Sequence, residues 1–136
     1  MLEPLNPKQD VAIVLEGCPA DDTFTETYAI QTALKKGPMI RFMDKSIICS
    51  PRFQRYALDL AEDKGLAIQA SVREGGGNDG AMINTSLDGI PVIVAGVPVR
   101  YIHSTNCMTS YFDFEATVQF VVALVQSLTE EIIKRF

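Results

Sequence analysis

The 136-residue chain holds one histidine, His103, in the run Gly96-Val-Pro-Val-Arg-Tyr-Ile-His-Ser104. Ahead of it lies Ile90-Pro91-Val92-Ile93-Val94-Ala95, an apolar run bounded by Gly89 and Gly96 that reads as a buried strand. Pro98 lacks a backbone donor and is expected to take the chain out of the sheet. Glu16 holds a matching place earlier: the apolar run Val11 to Leu15 passes into Glu16-Gly17-Cys18-Pro19, read as a turn. Ligands in open α/β sheets gather beyond the carboxyl ends of strands. A carboxylate and an imidazole at two such ends suit zinc or cobalt chemistry. His103 is equally readable as a surface or hydrogen-bonded histidine with no ligand.

Three other groupings have weaker chemical content. Arg73-Glu74-Gly75-Gly76-Gly77-Asn78-Asp79-Gly80 could offer backbone N–H groups to an anion ahead of a helix. It has no Gly-Lys-Ser/Thr and does not fit dinucleotide spacing, so a loop whose backbone must pass close to something is the simpler reading. Ser104 and Cys107 lie near His103 but on the same loop, without a nucleophile signature. Glu16, Cys18, His103 and Cys107 lack the paired spacing of a structural zinc site. The cysteines read better as small buried hydrophobes.

Strands at Val11 to Leu15, Met39 to Met43, Leu66 to Val72 and Ile90 to Ala95 must position these groups. Ser50-Pro51 opens a helix as cap and first-turn proline. Phe53, Tyr56, Ala57, Leu60 and Ala61 form its apolar stripe, and Gly65 closes it. Ala81 to Leu87 reads as a short helix, and Asp21 to Lys36 as mostly loop. The last helix begins near Ser110, with Asp113 as a capping-box partner. Its expected buried stripe is Phe114, Val118, Val121, Val122, Val125 and Ile132. Leu2 to Gln9 reads as an extended lead-in. The order strand, strand, helix, strand, helix, strand, helix makes an α/β layered sheet with packed helices.

Length predicts one domain, residues 1–136, and 47% apolar residues suffice for a core. A net charge of −5 without a basic cluster argues against nucleic acid. No apolar run approaches the ~20 residues that span a bilayer, so no membrane partner is expected. The start Met1-Leu2-Glu3-Pro4 does not read as a secretory signal. Three widely spaced cysteines fit reduced thiols and a cytoplasmic location.

Four segments then carry a resemblance. Asp10-Val-Ala-Ile-Val-Leu-Glu16-Gly, Gly37-Pro-Met-Ile-Arg-Phe-Met-Asp44, Gly76-Gly-Asn-Asp79-Gly and Val97-Pro-Val-Arg-Tyr-Ile-His103-Ser occur in this order. From about Asp10 to Leu128 the chain resembles the C-terminal part of the dinuclear-metal aminopeptidases. That group includes glutamyl, deblocking and tetrahedral aminopeptidases, and some members are called endoglucanases or cellulases.

The resemblance implies the C-terminal portion of a zinc-peptidase-like catalytic domain. Two divalent ions, zinc or cobalt, would act in the complete enzyme, with Glu16 as ligand to one and His103 to the other. Many members have aspartate where Glu16 stands. Gly76, Gly77, Asn78, Asp79 and Gly80 would border the substrate cleft, with Asn78 in place of the usual threonine. The remaining ligands, the general base and an inserted dimerisation domain lie upstream in the family and have no counterpart here. The expectation is therefore a partial catalytic domain that stably binds no metal and hydrolyses no peptide by itself. A homo-oligomer is expected, because Val11 to Leu15 would leave an open sheet edge. The competing readings are a non-catalytic assembly or regulatory protein that retains the fold, and a small-ligand module using the glycine loop.

Overall fold

The computed structural model describes residues 6 and 10–136. The expected lead-in at Leu2 to Gln9 lies, apart from Asn6, outside the described residues. Four strands form one sheet: β1 (Ala12–Pro19), β2 (Met39–Met43), β3 (Gln69–Val72) and β4 (Val92–Val99). Their spatial order is β1-β4-β2-β3, so β4 is central and β1 is an edge. β1 runs parallel to β4 and β2 parallel to β3, while β2 and β4 are antiparallel.

Helices α1 (Pro51–Asp63) and α3 (Tyr111–Ser127) cover one face of this sheet. The short α2 (Gly80–Asn84) lies on the other, and α4 (Glu130–Ile133) follows α3 after a break. Alternation along each strand divides the core in two. Ile13, Ile40, Ile93 and Ala95 pack with Phe53, Ala57, Phe120 and Leu124. Ala12, Val14, Val92 and Val94 pack with Ile47, Cys49, Ala81 and Ile83. The layered α/β architecture is the one expected.

Several boundaries differ from expectation. Glu16 to Pro19 is strand rather than turn, because β4 continues to Val99 and pairs with β1 over its whole length. Pro98 stays in β4 as the partner of Cys18. On β4, β2 pairs only with Val94, Ala95 and Gly96, so no strand among the described residues lies beside Pro98 on that flank, where its carbonyl accepts from Thr109 Oγ1 at 2.6 Å, and the missing N–H interrupts no ladder. The third strand is shorter than read, starting at Gln69, and Leu66 and Ile68 contribute packing instead.

α1 forms as its punctuation dictates. Ser50 Oγ accepts from the Phe53 N–H at 3.4 Å, Pro51 opens the first turn, and Gly65 follows at φ +63°. α3 departs more. Its buried residues are Asp113, Thr117, Phe120 and Leu124, while Phe114, Val118, Val122 and Val125 face outward about half exposed. Asp113 does not cap its own helix. Its two oxygens accept from the backbone N–H groups of Lys35 (2.7 Å) and Gly37 (2.9 Å), so α3 clamps the entry to β2.

The segment from Asp21 to Lys36 is mostly loop, with a 3-10 turn at Thr27–Ala29. It is anchored at the β3 side of the sheet: Gln31 Oε1 accepts from the Val72 N–H at 2.7 Å, and Gln69 Oε1 from the Ala33 N–H at 2.8 Å. No helix among the described residues is long and apolar enough to cross a membrane.

Candidate functional site

An arginine inside the apolar strand Met39-Ile-Arg-Phe-Met is the first feature that must be explained. A buried guanidinium is costly unless paired. Arg41 is 4% exposed and lies between two acids. Its Nη2 is 2.6 Å from Glu16 Oε1, and its Nη1 donates to Asp44 Oδ2 at 2.8 Å. The Glu16 contact is an ion pair without hydrogen-bond alignment, since Glu16 Oε1 and Arg41 Nε are buried and make no hydrogen bond. Burial pushes the Glu16 carboxyl above its ordinary range, against the pull of Arg41 and helped by the nearby Asp44 and Asp79 charges.

Asp44 fixes this pair in place. Its Oδ1 accepts from Ser46 N–H (2.7 Å), Ser46 Oγ (2.7 Å) and Ile47 N–H (3.1 Å). Its Oδ2 also accepts from Asn78 Nδ2 at 2.9 Å, and Asn78 Oδ1 accepts from the Gly80 N–H at 2.8 Å. Burial raises the Asp44 carboxyl, but the hydrogen bonds from Arg41 and Ser46 and the Arg41 charge together hold it below the usual carboxylate range. One chain of contacts therefore runs from Glu16 through Arg41 and Asp44 to the glycine loop.

His103 arrives from the other side. β4 ends at Val99, and the chain turns with Tyr101 at φ +57° and His103 at φ +65°. Positive φ is unfavourable for both residues and must be held by surroundings. The hold is visible: Arg100 and Met108 bridge through paired backbone bonds of 2.8 and 3.1 Å, and Arg100 grips Asp22 through Nε (2.8 Å) and Nη2 (2.7 Å). His103 itself is exposed.

Glu16, His103, Arg41, Arg73 and the backbone of Gly75, Gly76 and Gly77 line one cleft of about 110 Å³. Arg73 is fixed there by Asp21 (3.0 Å) and the Pro19 carbonyl (2.9 Å). Of the residues read as cleft border, Gly76 and Gly77 line it. Asn78 is committed to Asp44 and Gly80, Asp79 is exposed at the start of α2, and Gly80 is buried. A Cβ on Gly80 would lie 2.6 Å from Asn78 Oδ1 and 3.0 Å from a Val92 methyl, so a close backbone approach explains that glycine.

Cys18 does not join the cleft as a ligand. It is fully buried and outside the lining of the cleft, and burial pushes its thiol up to about 12. Cys107 is exposed. Arg41, Asp44 and Arg73 were missed in reading the sequence for ligands; the available signal was a charge in the middle of an apolar strand.

The family resemblance raises the question of metal. A catalytic zinc takes three protein ligands and a water. Glu16 and His103 are the two ligating types on the cleft, and Glu16 is held by Arg41. Among the described residues no three of His, Cys, Asp and Glu come together as a metal-holding group. These residues do not fit a metal by themselves.

The sheet and its two helical layers make an α/β domain with a carboxylate and an imidazole on one cleft. Comparison with known proteins makes this specific: residues 4–120 match the M42 glutamyl aminopeptidase family, and the chain belongs to that family. It is 30% identical to the glutamyl aminopeptidase of Lactococcus lactis subsp. cremoris, over 90% of this chain and 33% of that protein. The TET aminopeptidase of Thaumarchaeota archaeon SCGC AB-539-E09 superposes with a TM-score of 0.88 at 30% identity, over 93% of this chain and 35% of that one. The TET1 peptidase of Pyrococcus horikoshii, which can assemble into a tetrahedron or a large octahedral shell, gives 0.68 at 28% identity, over 87% and 32%. The chain thus spans about a third of the length of these relatives.

Proposed function

We propose that this chain is the C-terminal part of a metal-dependent aminopeptidase, with Glu16 and His103 each ligating one of two divalent ions, zinc or cobalt, in the complete enzyme. The observation that carries this reading is the meeting of Glu16 and His103, 87 positions apart, on one cleft within a chain of the M42 family. In the complete enzyme the two ions would activate a water for cleavage of the first peptide bond.

The chain's own residues have definable parts in that activity. Arg41 and Asp44 set the position of the Glu16 carboxylate. The strained turn sets the position of His103. Gly75 to Gly77 give the cleft a wall without side chains, along which a peptide substrate can lie. Residues 1–136 form a partial catalytic domain. The general base and the other ligands belong to polypeptide outside this sequence, so the chain alone is inactive. The complete enzyme is a cytoplasmic homo-oligomer in this reading.

The test is turnover of aminoacyl-anilides and short peptides by the purified 136-residue chain with added zinc or cobalt. No turnover above buffer is expected. Activity that survives extensive purification and disappears in His103→Ala would overturn the reading.

A further inference from the structure

α1 and the tail of the chain enclose a second pocket, of about 380 Å³. It shares no lining residue with the cleft, and the functional reading above gives it no part. Arg52 and Arg55 reach it from the first two turns of α1, and Arg135 from the turn that follows α4. Tyr56 and Phe136 form its apolar side. Both rings are fixed: Phe136 stacks on Phe53 at 4.6 Å between centroids, and the Tyr56 hydroxyl donates to the Ser127 carbonyl at 3.3 Å. The pocket is therefore formed before anything enters it, and its volume lies in the range of small-molecule sites.

Its charge is the feature that packing does not explain. The chain as a whole carries −5, yet here three guanidinium groups meet one carboxylate, Asp59. Asp59 Oδ1 pairs with the Arg55 Nε at 3.0 Å. Arg52 Nη1 donates to the Arg135 carbonyl at 3.4 Å, a long bond to a neutral acceptor. Neither Arg52 nor Arg135 has an ion-pair partner among the described residues. Arg52 also stands in the first turn of α1, where the helix dipole disfavours a cation, and no acidic residue of that turn offsets it. A single surface arginine is simply solvated. Three that converge on one pocket with one acid repel each other unless an anion lies among them.

We propose that this pocket binds a phosphomonoester, with its phosphoryl group held by Arg52, Arg55 and Arg135 and its organic part set against Tyr56 and Phe136. Charge and donor number select this class. Three guanidinium groups and one carboxylate leave an excess of about two positive charges, and a phosphomonoester carries about −1.5 to −2 at pH 7 on three acceptor oxygens. A lone carboxylate brings one charge and two oxygens, which leaves an arginine unanswered. Guanidinium groups also grip phosphate through parallel N–H bonds. Inorganic phosphate has the charge but nothing to place against the two rings. A nucleotide and a sugar phosphate have both, and a nucleotide adds a flat base suited to an aromatic wall.

The test is titration of the isotope-labelled chain with AMP, ribose phosphate, inorganic phosphate and adenosine at constant ionic strength, followed through its amide resonances. AMP or ribose phosphate should give saturable shifts at Arg52, Arg55, Tyr56 and Arg135, with Glu16 and His103 unmoved. The tighter of the two identifies the source: AMP a nucleotide, ribose phosphate a sugar phosphate. Inorganic phosphate should bind at least about tenfold more weakly than that ester, and adenosine should give no saturable shift.

Arg52→Gln and Arg135→Gln, both at exposed positions, should each weaken the tighter ester at least about fivefold, with circular dichroism unchanged. The absence of saturable shifts with either ester at millimolar concentration would overturn the proposal. So would shifts centred on the cleft, adenosine binding as tightly as AMP, or an affinity that survives both substitutions in one chain. Inorganic phosphate binding as tightly as both esters would overturn the part given to Tyr56 and Phe136.

Discussion

Arg41 is the residue on which the site's charge balance turns. It balances the charge of Glu16 on one side and donates a hydrogen bond to the buried Asp44 on the other. Replacing one partner in a buried ionic group leaves the others uncompensated, at a cost of roughly 3–5 kcal/mol. Arg41→Met, close in length but uncharged, should therefore lower unfolding free energy by about that range in urea titration. A loss within experimental error would show that Glu16 and Asp44 are already stabilised by other groups. Asp22 gives a pH-dependent counterpart. Hydrogen bonds from Arg100, outweighing the effect of burial, hold its carboxyl below the usual range in the folded chain. Its stabilising effect is then complete above the unfolded carboxyl value, about 3.9, and is lost as pH falls through the depressed folded value. Asp22→Asn should be less stable than the parent at pH 7, and the gap should close below about pH 4. A gap that stays constant down to pH 2 would mean that the charge on Asp22 contributes nothing.

Among the elements, α3 has the most unusual division of labour. Its Asp113 is fully buried and accepts two backbone N–H groups ahead of β2. Asp113→Ala would leave both donors unpaired, at about 1–3 kcal/mol each. Thermal unfolding should show that loss, with hydrogen exchange rising at Lys35 and Gly37; unchanged exchange there would contradict the clamp. This helix also marks the limit of what could be read from sequence. α1 was legible because Ser50-Pro51 and Gly65 punctuate it and its polar face is unambiguous. α3 is apolar nearly all round: Phe120 and Leu124 meet the sheet, while Phe114, Val118 and Val122 do not. Counting hydrophobic residues could not rank those faces, and the deciding residue, Asp113, is a carboxylate in the core. The site was legible to a similar depth. Glu16 and His103 stood out by type and by their strands, whereas Arg41 showed only as a charge in an apolar strand, and its pairing with Glu16 joins distant segments that no local pattern connects.

For the molecule as a whole, the two edges of the sheet are treated differently. Beside β3, Gln31 supplies an acceptor to the strand backbone, and at β1 no strand among the described residues does so. That contrast bears on how β1 tolerates change. Its even-numbered residues Ala12, Val14, Glu16 and Cys18 face the α2 side, and Ile13, Leu15 and Gly17 face the α3 side. Two unrelated selective demands are thus interleaved at single-residue intervals along one ribbon. A saturation library over positions 12–18, sorted for folding yield, should tolerate least at Ala12, Ile13, Val14 and Cys18, which pack in the two halves of the core or are fully buried, and most at the exposed Leu15; equal tolerance at Ile13 and Leu15 would contradict this division. A one-residue insertion after Val14 would trade the two sets and place a leucine where the arginine's counter-ion belongs. Such a reading-frame error in space, rather than in code, should be more damaging than any single substitution in the strand.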